Sequence, residues 1–234
     1  MISVCMATYN GEKFIKEQID SILSQLSDDD ELVVSDDGSK DRTLDIISSY
    51  NDKRIRILHH GAPHGFVHNF ENALGNAKGD YIFLSDQDDT WKPNKVQVVM
   101  DYLKKYQLVI HNADLIDGTG KSLGKTYYDT LHNKTGFWAN FYKTRWLGCC
   151  MAFRREVKDY CLPFPKGIVG HDYWIGMLGM LKFRYYFIDE VLMNYRRHGG
   201  NLSPSGEKSN HSWLYKLYTK RFVILLAIIK RLCK

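Results

Sequence analysis

The chain has no apolar run long enough to span a bilayer: "FVILLAII" at 222–229 has eight residues, where a spanning helix needs about 20. A polymerising, channel-coupled enzyme is therefore not expected. Cysteine is also scarce. The five residues Cys5, Cys149, Cys150, Cys161 and Cys233 are odd in number and lack paired metal spacing, which suits a reducing compartment and small core positions better than a disulfide framework. The opening "MISVCMATYNGEKF" has no basic start and reaches Asn10 and Glu12 at once, so no signal peptide is expected there. Internal repeats and low-complexity tracts are missing. Acidic residues disappear from Lys208 onward, where seven Lys or Arg follow; residues 1–207 then hold 25 basic against 27 acidic residues. The net charge of +5 thus belongs to the tail. A body with no basic stripe and no recognition motif gives no reason to expect a nucleic-acid partner.

What is present is ample core material, 44% hydrophobic and 13% aromatic, enough for one large domain. In the first hundred residues, the short β-branched or aromatic runs "ISVCMAT", "ELVVSDD", "RIRIL" and "YIFLSD" alternate with helical patterns such as Phe14-Ile15, Ile19, Ile22-Leu23 and Leu26. Near-continuous apolar strands alternating with helices predict an α/β fold, a mainly parallel sheet covered on both faces. Further on, the pattern predicts a helix within 92–106, a strand over 108–117, an irregular loop over 118–145 containing a short aromatic helix at 137–143, a strand at 148–154, a helix at 172–181, and two strands in "FRYYFID" and "VLMNYRR".

Three of the first strands end in polar clusters: "TYNGE" at 8–12, "DDGSKD" at 36–41 and "DQDD" at 86–89. In a parallel sheet these gather along one edge, where ligands bind. Asp86, Asp88 and Asp89 crowd three carboxylates into four positions, which repel unless a cation or hydrogen-bond donors are supplied. An ion of the magnesium class takes oxygen ligands from one or two carboxylates and substrate phosphates. Helix capping by "DTWKPNK" explains one aspartate but not three. Ser39 or Asp41 could cap a helix from Thr43, and Asp37 could be turn chemistry alone, while Asp36 could accept hydrogen bonds from a base or ribose.

The segments "VCMATYNGEKFIKEQIDSILSQ", "ELVVSDDGSKDRT", "GDYIFLSDQDDTWKPNKV" and "HDYW" together resemble the inverting family-2 glycosyltransferases of the GT-A fold, closest to a rhamnosyltransferase-like bacterial group. The resemblance covers about residues 2–200, with the four motifs in the family's order. It implies a Rossmann-like mixed sheet in a domain of residues 1–207, with a nucleotide-sugar-binding half at 1–105 and an acceptor-binding, catalytic-base half at 106–207. It implies that Thr8, Tyr9, Glu12 and Asp36 line the nucleoside pocket. "DQDD" corresponds to the metal-binding DxD motif, with Asp88 and Asp89 nearest the diphosphate and a Mn²⁺ or Mg²⁺ ion, and with Asp86 supporting; which of the three is the direct ligand stays open. Asp172 matches the catalytic base, although His171 stands where the family often has Glu. From the residues alone, an N-cap for helix 173–181 is the alternative role for Asp172.

"YRRHGGNLS" at 195–203 resembles the segment that closes over the diphosphate, with His198 completing the metal shell or remaining structural, and with Arg196 or Arg197 neutralising the leaving group. His64 and His68 could edge the nucleoside pocket or lie on the surface, and Tyr127, Tyr128, Trp138 and Trp146 could stack on acceptor sugars or belong to core or surface. The donor would be UDP- or dTDP-linked. A catalytically silent nucleotide- or glycan-binding module is the reading from another class.

Residues 208–234 are separable. On a helix, positions 216, 220, 223, 227, 230 and 234 form one stripe with four Lys, beside a broad apolar face. Such a helix over 213–234 is expected to lie in an anionic membrane interface, at the cytoplasmic face of a bacterial plasma membrane and near a lipid-linked glycan acceptor. Packing on the body, or on a second subunit in a homodimer, is the alternative.

Overall fold

The computed structural model describes residues 1–59, 61, 63–130, 136–198 and 221–233. Four strands build the parallel part of the sheet: β1 (Ile2–Thr8), β2 (Glu31–Asp36), β3 (Ile55–His59) and β4 (Tyr81–Asp86). Val4, Cys5, Met6, Leu32–Val34 and Ile82–Leu84 are fully buried, which is why these strands read as continuous apolar runs. α1 (Ile15–Leu23) turns Ile15, Ile19 and Ile22 inward at helical spacing, and α3 (Phe66–Asn76) does so with Phe70, Ala73 and Leu74. α2 (Thr43–Ser48) is shorter.

The other elements are β5 (Thr90–Trp91), α4 (Lys95–Leu103), β6 (Leu108–Asp117), β7 (Ser122–Thr126), α5 (Phe137–Tyr142), β8 (Met151–Arg154), α6 (Arg155–Cys161), α7 (His171–Lys182), β9 (Tyr185–Arg197) and α8 (Val223–Leu232). The strand order is β3-β2-β1-β4-β8-β6-β9-β5, with β7 on β6. Antiparallel β8 joins β4 to β6, and β9 runs parallel to β6.

Several expectations need correction. The 118–145 segment holds β7 as well as a loop. Gly148–Cys150 is a 3₁₀ turn, so the strand there begins only at Met151. The two strands expected between 183 and 197 are one, β9, whose register against β6 shifts around Asn112 and so absorbs the polar Asp189-Glu190 pair. α6 had no counterpart in the sequence reading.

α7 carries Gly176 and Gly179 for close approach. A Cβ at 176 would lie 2.2 Å from the Trp146 ring, and one at 179 would lie 2.5 Å from Leu108. The helix therefore lies flat on the core, which fixes the position of its N-terminus.

The tail expectation divides. Residues 199–220 and Lys234 lie outside the described residues, so most of the lysine stripe does too. α8 packs on the body through Ile224, Ala227 and Ile228. That is the alternative expectation, packing on the body. Position 227 of the expected polar stripe faces inward.

Candidate functional site

The three polar clusters do converge at one sheet edge. The Thr8 hydroxyl donates to Asp36 Oδ2 (2.9 Å) and the Asp37 amide to the Thr8 carbonyl (3.0 Å). Tyr9 and Gln87 bond reciprocally, the Tyr9 amide to Gln87 Oε1 at 2.9 Å and Gln87 Nε2 to the Tyr9 carbonyl at 3.0 Å. Asp41 accepts from the Glu12 amide (3.0 Å) and from the Thr43 amide that opens α2 (3.0 Å), while Glu12 accepts from the Arg42 amide (3.0 Å). Tyr9 remains half exposed on the rim.

Asp36 is 1% exposed, and its carboxylate is engaged by Thr8, by the Gly38 and Ser39 amides and by the Ser39 hydroxyl. It is turned into the loop, which it holds in shape. Asp37 likewise accepts from the Gly65 amide and meets His64 at 2.8 Å, placing His64 at this rim; His68 lies on α3 near Glu71.

The DQDD turn separates its carboxylates. Asp88 points outward, with Oδ2 2.8 Å from His198 Nε2; the two side chains are 15% and 23% exposed. Asp89 points inward and is fully buried: Oδ1 accepts from the Arg196 amide (2.9 Å), and Oδ2 has no partner. Asp86, Asp89 and Cys149 bring ligand atoms within 4.8 Å of one another. Desolvation, with the nearby Asp88 and Asp172 carboxylates, pushes Asp86 up to about 7. The same causes raise Asp89, burial first and Asp88 and Asp86 after it.

Arg196 is the cation beneath the turn. It is 2% exposed, donates to the Asp88 carbonyl (2.8 Å) and Glu17 (2.6 Å), and lies 4.7 Å from the Phe14 ring centre. β5 makes this arrangement by pairing Thr90 and Trp91 with Asn194 and Met193, which clips the turn to the end of β9.

A second buried cation escaped the sequence reading. Lys95, 1% exposed at the start of α4, donates to the Cys149 carbonyl (3.0 Å) and sits 4.0 Å from the Trp91 ring centre. Burial lowers its pKa to about 8. Around it, burial opposes ionisation of Cys150, yet Cys149, His111 and Lys95 together bring that thiol down to about 5. Nothing in "KPNK" distinguishes a buried lysine from a solvated one, because its neighbours come from β5, the 148–150 turn and β9.

Two donor sets could receive a metal ion. Asp88 and His198 offer a carboxylate oxygen and an imidazole nitrogen at partly exposed positions, which fits a divalent ion that keeps its remaining positions for diphosphate oxygens and water. The Asp86–Asp89–Cys149 set leaves Asp89 Oδ2 unpaired but includes a thiol whose ionisation burial suppresses, a poor match for a hard ion.

Asp172 is the second residue of α7, with Oδ1 accepting from the Tyr173 amide at 2.7 Å. A Cβ on Gly148 would lie 3.7 Å from Asp172 Cβ, so the start of α7 sits against the turn that carries Cys149 of the Asp86–Asp89–Cys149 group. His171 beside it is 5% exposed and stacks on Phe70 with ring centres 3.9 Å apart. Both its ring nitrogens are unpartnered, and burial lowers its pKa to about 3. Gly148 makes room for it, since a Cβ there would lie 2.6 Å from Nε2.

Among the aromatic candidates for sugar stacking, Tyr127, Tyr128 and Trp146 are core residues, 6%, 9% and 1% exposed. Trp138, at 65%, is on the surface.

Residues 3–161 match the family model "Glycosyl transferase family 2". The chain belongs to glycosyl transferase family 2. An uncharacterized glycosyltransferase of Nostoc sp. is 28% identical over 216 residues, covering 86% of this chain and 66% of the relative. The dTDP-rhamnosyl transferase RfbG of Shigella flexneri is 29% identical, covering 84% of this chain and 72% of that protein. In structure, S. aureus TarS 1-349 in complex with UDP-GlcNAc superposes with a TM-score of 0.68 at 22% identity, over 86% of this chain and 59% of that one. The mixed, mostly parallel sheet is thus of the GT-A type. The chain spans just under two thirds of the Nostoc relative and 59% of the TarS 1-349 chain.

Proposed function

We propose that this family-2 chain transfers a sugar from a nucleotide-sugar donor to a glycan acceptor, with inversion at the anomeric carbon and with a divalent ion bound. The observation that carries this reading is the Asp88–His198 pair at 2.8 Å, in the turn that follows β4 of the parallel sheet. In this reading residues 1–105 bind the donor and residues 106–207 the acceptor, with Arg196 and His198 reaching back to the donor side. Names among the relatives support a cell-surface polysaccharide setting: RfbG, and the putative teichuronic acid biosynthesis glycosyltransferase TuaG of Bacillus subtilis, 25% identical.

Thr8, Tyr9, Glu12 and Asp36 shape the nucleoside end, Asp36 by fixing the loop and Tyr9 by its exposed ring. Asp88 and His198 hold the ion, and Asp86 and Asp89 support the turn. A bound Mn²⁺ or Mg²⁺ supplies charge stabilisation to the departing nucleoside diphosphate. Arg196 adds positive charge beneath the same turn. Asp172 accepts the proton of the acceptor hydroxyl as its oxygen attacks the anomeric carbon, so one displacement suffices and no sugar–enzyme bond forms. The tightly held Tyr173 amide keeps that carboxylate in place. The donor is UDP- or dTDP-linked, and a rhamnosyl, hexosyl or N-acetylhexosaminyl group is transferred. The acceptor is lipid-linked, at the cytoplasmic face of the plasma membrane. No helix among the described residues is long and apolar enough to cross a membrane.

Calorimetry with a panel of UDP- and dTDP-sugars, with and without Mn²⁺ or Mg²⁺, tests the reading. One donor should bind tightly only with metal, and His198→Ala should weaken that metal dependence while leaving the fold intact by circular dichroism. Absence of binding under every condition would favour the silent module.

A further inference from the structure

α8 is apolar on two opposite sides, and only one of them is covered. At about 100° per residue, Ile224, Ala227, Ile228 and Arg231 point one way and Phe222, Leu226, Ile229 and Cys233 the other. The first group is buried or partly buried against the body. In the second, Phe222, Leu226 and Ile229 are 46%, 40% and 48% exposed, and the neighbouring Leu232 is 48% exposed. A helix apolar all round normally lies inside a larger assembly.

The exposed stripe is held at a fixed place. At one end Arg221 donates to the carbonyls of Phe141 and Tyr142, at the end of α5. At the other, Arg231 donates to the Tyr160 and Leu162 carbonyls (3.0 and 2.9 Å) and lies 5.8 Å from the Trp174 ring centre. The first anchor joins the stripe to α5, whose Trp138 and Tyr142 are the most exposed large aromatics of the described residues, at 65% and 62%. Exposed Lys143 and Lys230 flank the face, and the sequence from 208 to 234 has no acidic residue.

We propose that Trp138, Tyr142, Phe222, Leu226, Ile229 and Leu232 form one membrane-docking face whose occupant is an anionic phospholipid interface. Trp and Tyr beside aliphatic side chains, with lysines at the rim, match the layered polarity of a bilayer surface. Pairing with a second copy fits less well, because a two-fold interface sets the face against itself and brings the same lysines together. The geometry also sets the orientation: Tyr173, next to Asp172, donates its hydroxyl to the Phe141 carbonyl at 2.9 Å, so the face adjoins the end of α7 that bears the base. This orientation rests on the transfer reading above; the docking face itself does not.

The test is co-sedimentation of the full chain with phosphatidylcholine vesicles and with vesicles containing about one third phosphatidylglycerol. The full chain should pellet with the anionic vesicles and far less with the neutral ones. Leu226→Ser with Ile229→Ser, and separately Trp138→Ser with Tyr142→Ser, should each weaken that binding about tenfold or more. Circular dichroism and nucleotide-sugar binding of the Leu226/Ile229 variant should match the wild type, which separates loss of docking from loss of fold. Unchanged vesicle binding in both variants overturns the proposal. So does a concentration-dependent dimer in light scattering that the Leu226/Ile229 variant abolishes while vesicles bind neither protein. Loss of nucleotide binding in a wild-type chain that still docks would overturn the transfer reading and leave the face standing.

Discussion

The polar groups at the carboxyl ends of β1, β2 and β4 are, Asp89 Oδ2 apart, bonded mainly to one another, whereas the rings packed along α7 are buried with nitrogens left unpaired. Asp36 alone takes donors from three residues, and Gln87 ties two loops together in both directions. By contrast His171 has two unpartnered nitrogens, and Trp146 Nε1, of the ring that faces Gly176, is also without a partner. The first region is preorganised by hydrogen bonds and the second by shape, through Gly176, Gly148 and the Phe70 stack. The same kind of substitution should therefore have different consequences in the two.

Asp172→Asn should lower the transfer rate by about 10³-fold, in the range of a lost general base, with the donor affinity unchanged by calorimetry. Equal losses in both would mean that Asp172 serves the donor side, which would erase the division. Asp36→Ala should cost about 3 kcal/mol in urea unfolding, because buried amides and hydroxyls lose an ionised acceptor, and donor binding should fall with it. Gly176→Ala should cost about 2 kcal/mol by overpacking against Trp146, with no change in the donor affinity of the folded fraction.

The smallest effect at neutral pH belongs to His171→Phe, which should be near neutral at pH 7.5. His171 stays uncharged in the fold down to about pH 3, while in the unfolded chain it takes a proton near its ordinary value of 6.5. Its contribution is complete above about 6.5 and is lost as the pH falls toward 3. The Phe variant escapes that loss and should gain on the wild type by about 2 kcal/mol at pH 5 in denaturant titrations. Parallel pH curves for the two proteins would mean that the imidazole finds a partner when charged.

The same division explains what could be read from the sequence. The parallel strands were legible because burial on both faces writes an unbroken apolar run, and the convergence of their polar ends follows from strand direction alone. The Asp88–His198 meeting was suggested by resemblance and is realised by β5, whose two residues pair with a strand about a hundred positions later and leave no local pattern. Lys95 was illegible for the same reason: its burial depends on Trp91 and Cys149, brought together only by the tertiary fold. Tyr127, Tyr128 and Trp146 look like ligand platforms in a glycine-rich stretch, but β7 and the approach of α7 enclose them. α6, with seven residues of mixed polarity, is too short for its period to stand out.

The clip between β5 and β9 has a consequence for how the molecule can be divided. The segment matched by the family model stops at residue 161, while the strand that answers the DQDD turn begins at Tyr185. A chain severed after residue 161 and before α7 would keep β1 to β4 and their loops on one fragment, and would carry away Asp172, Arg196 and His198 on the other. Neither piece would hold a complete ion seat. Mixing the two would restore it only if β9 paired again with both β6 and β5, so recovery of metal binding would report reassembly of the fragments directly.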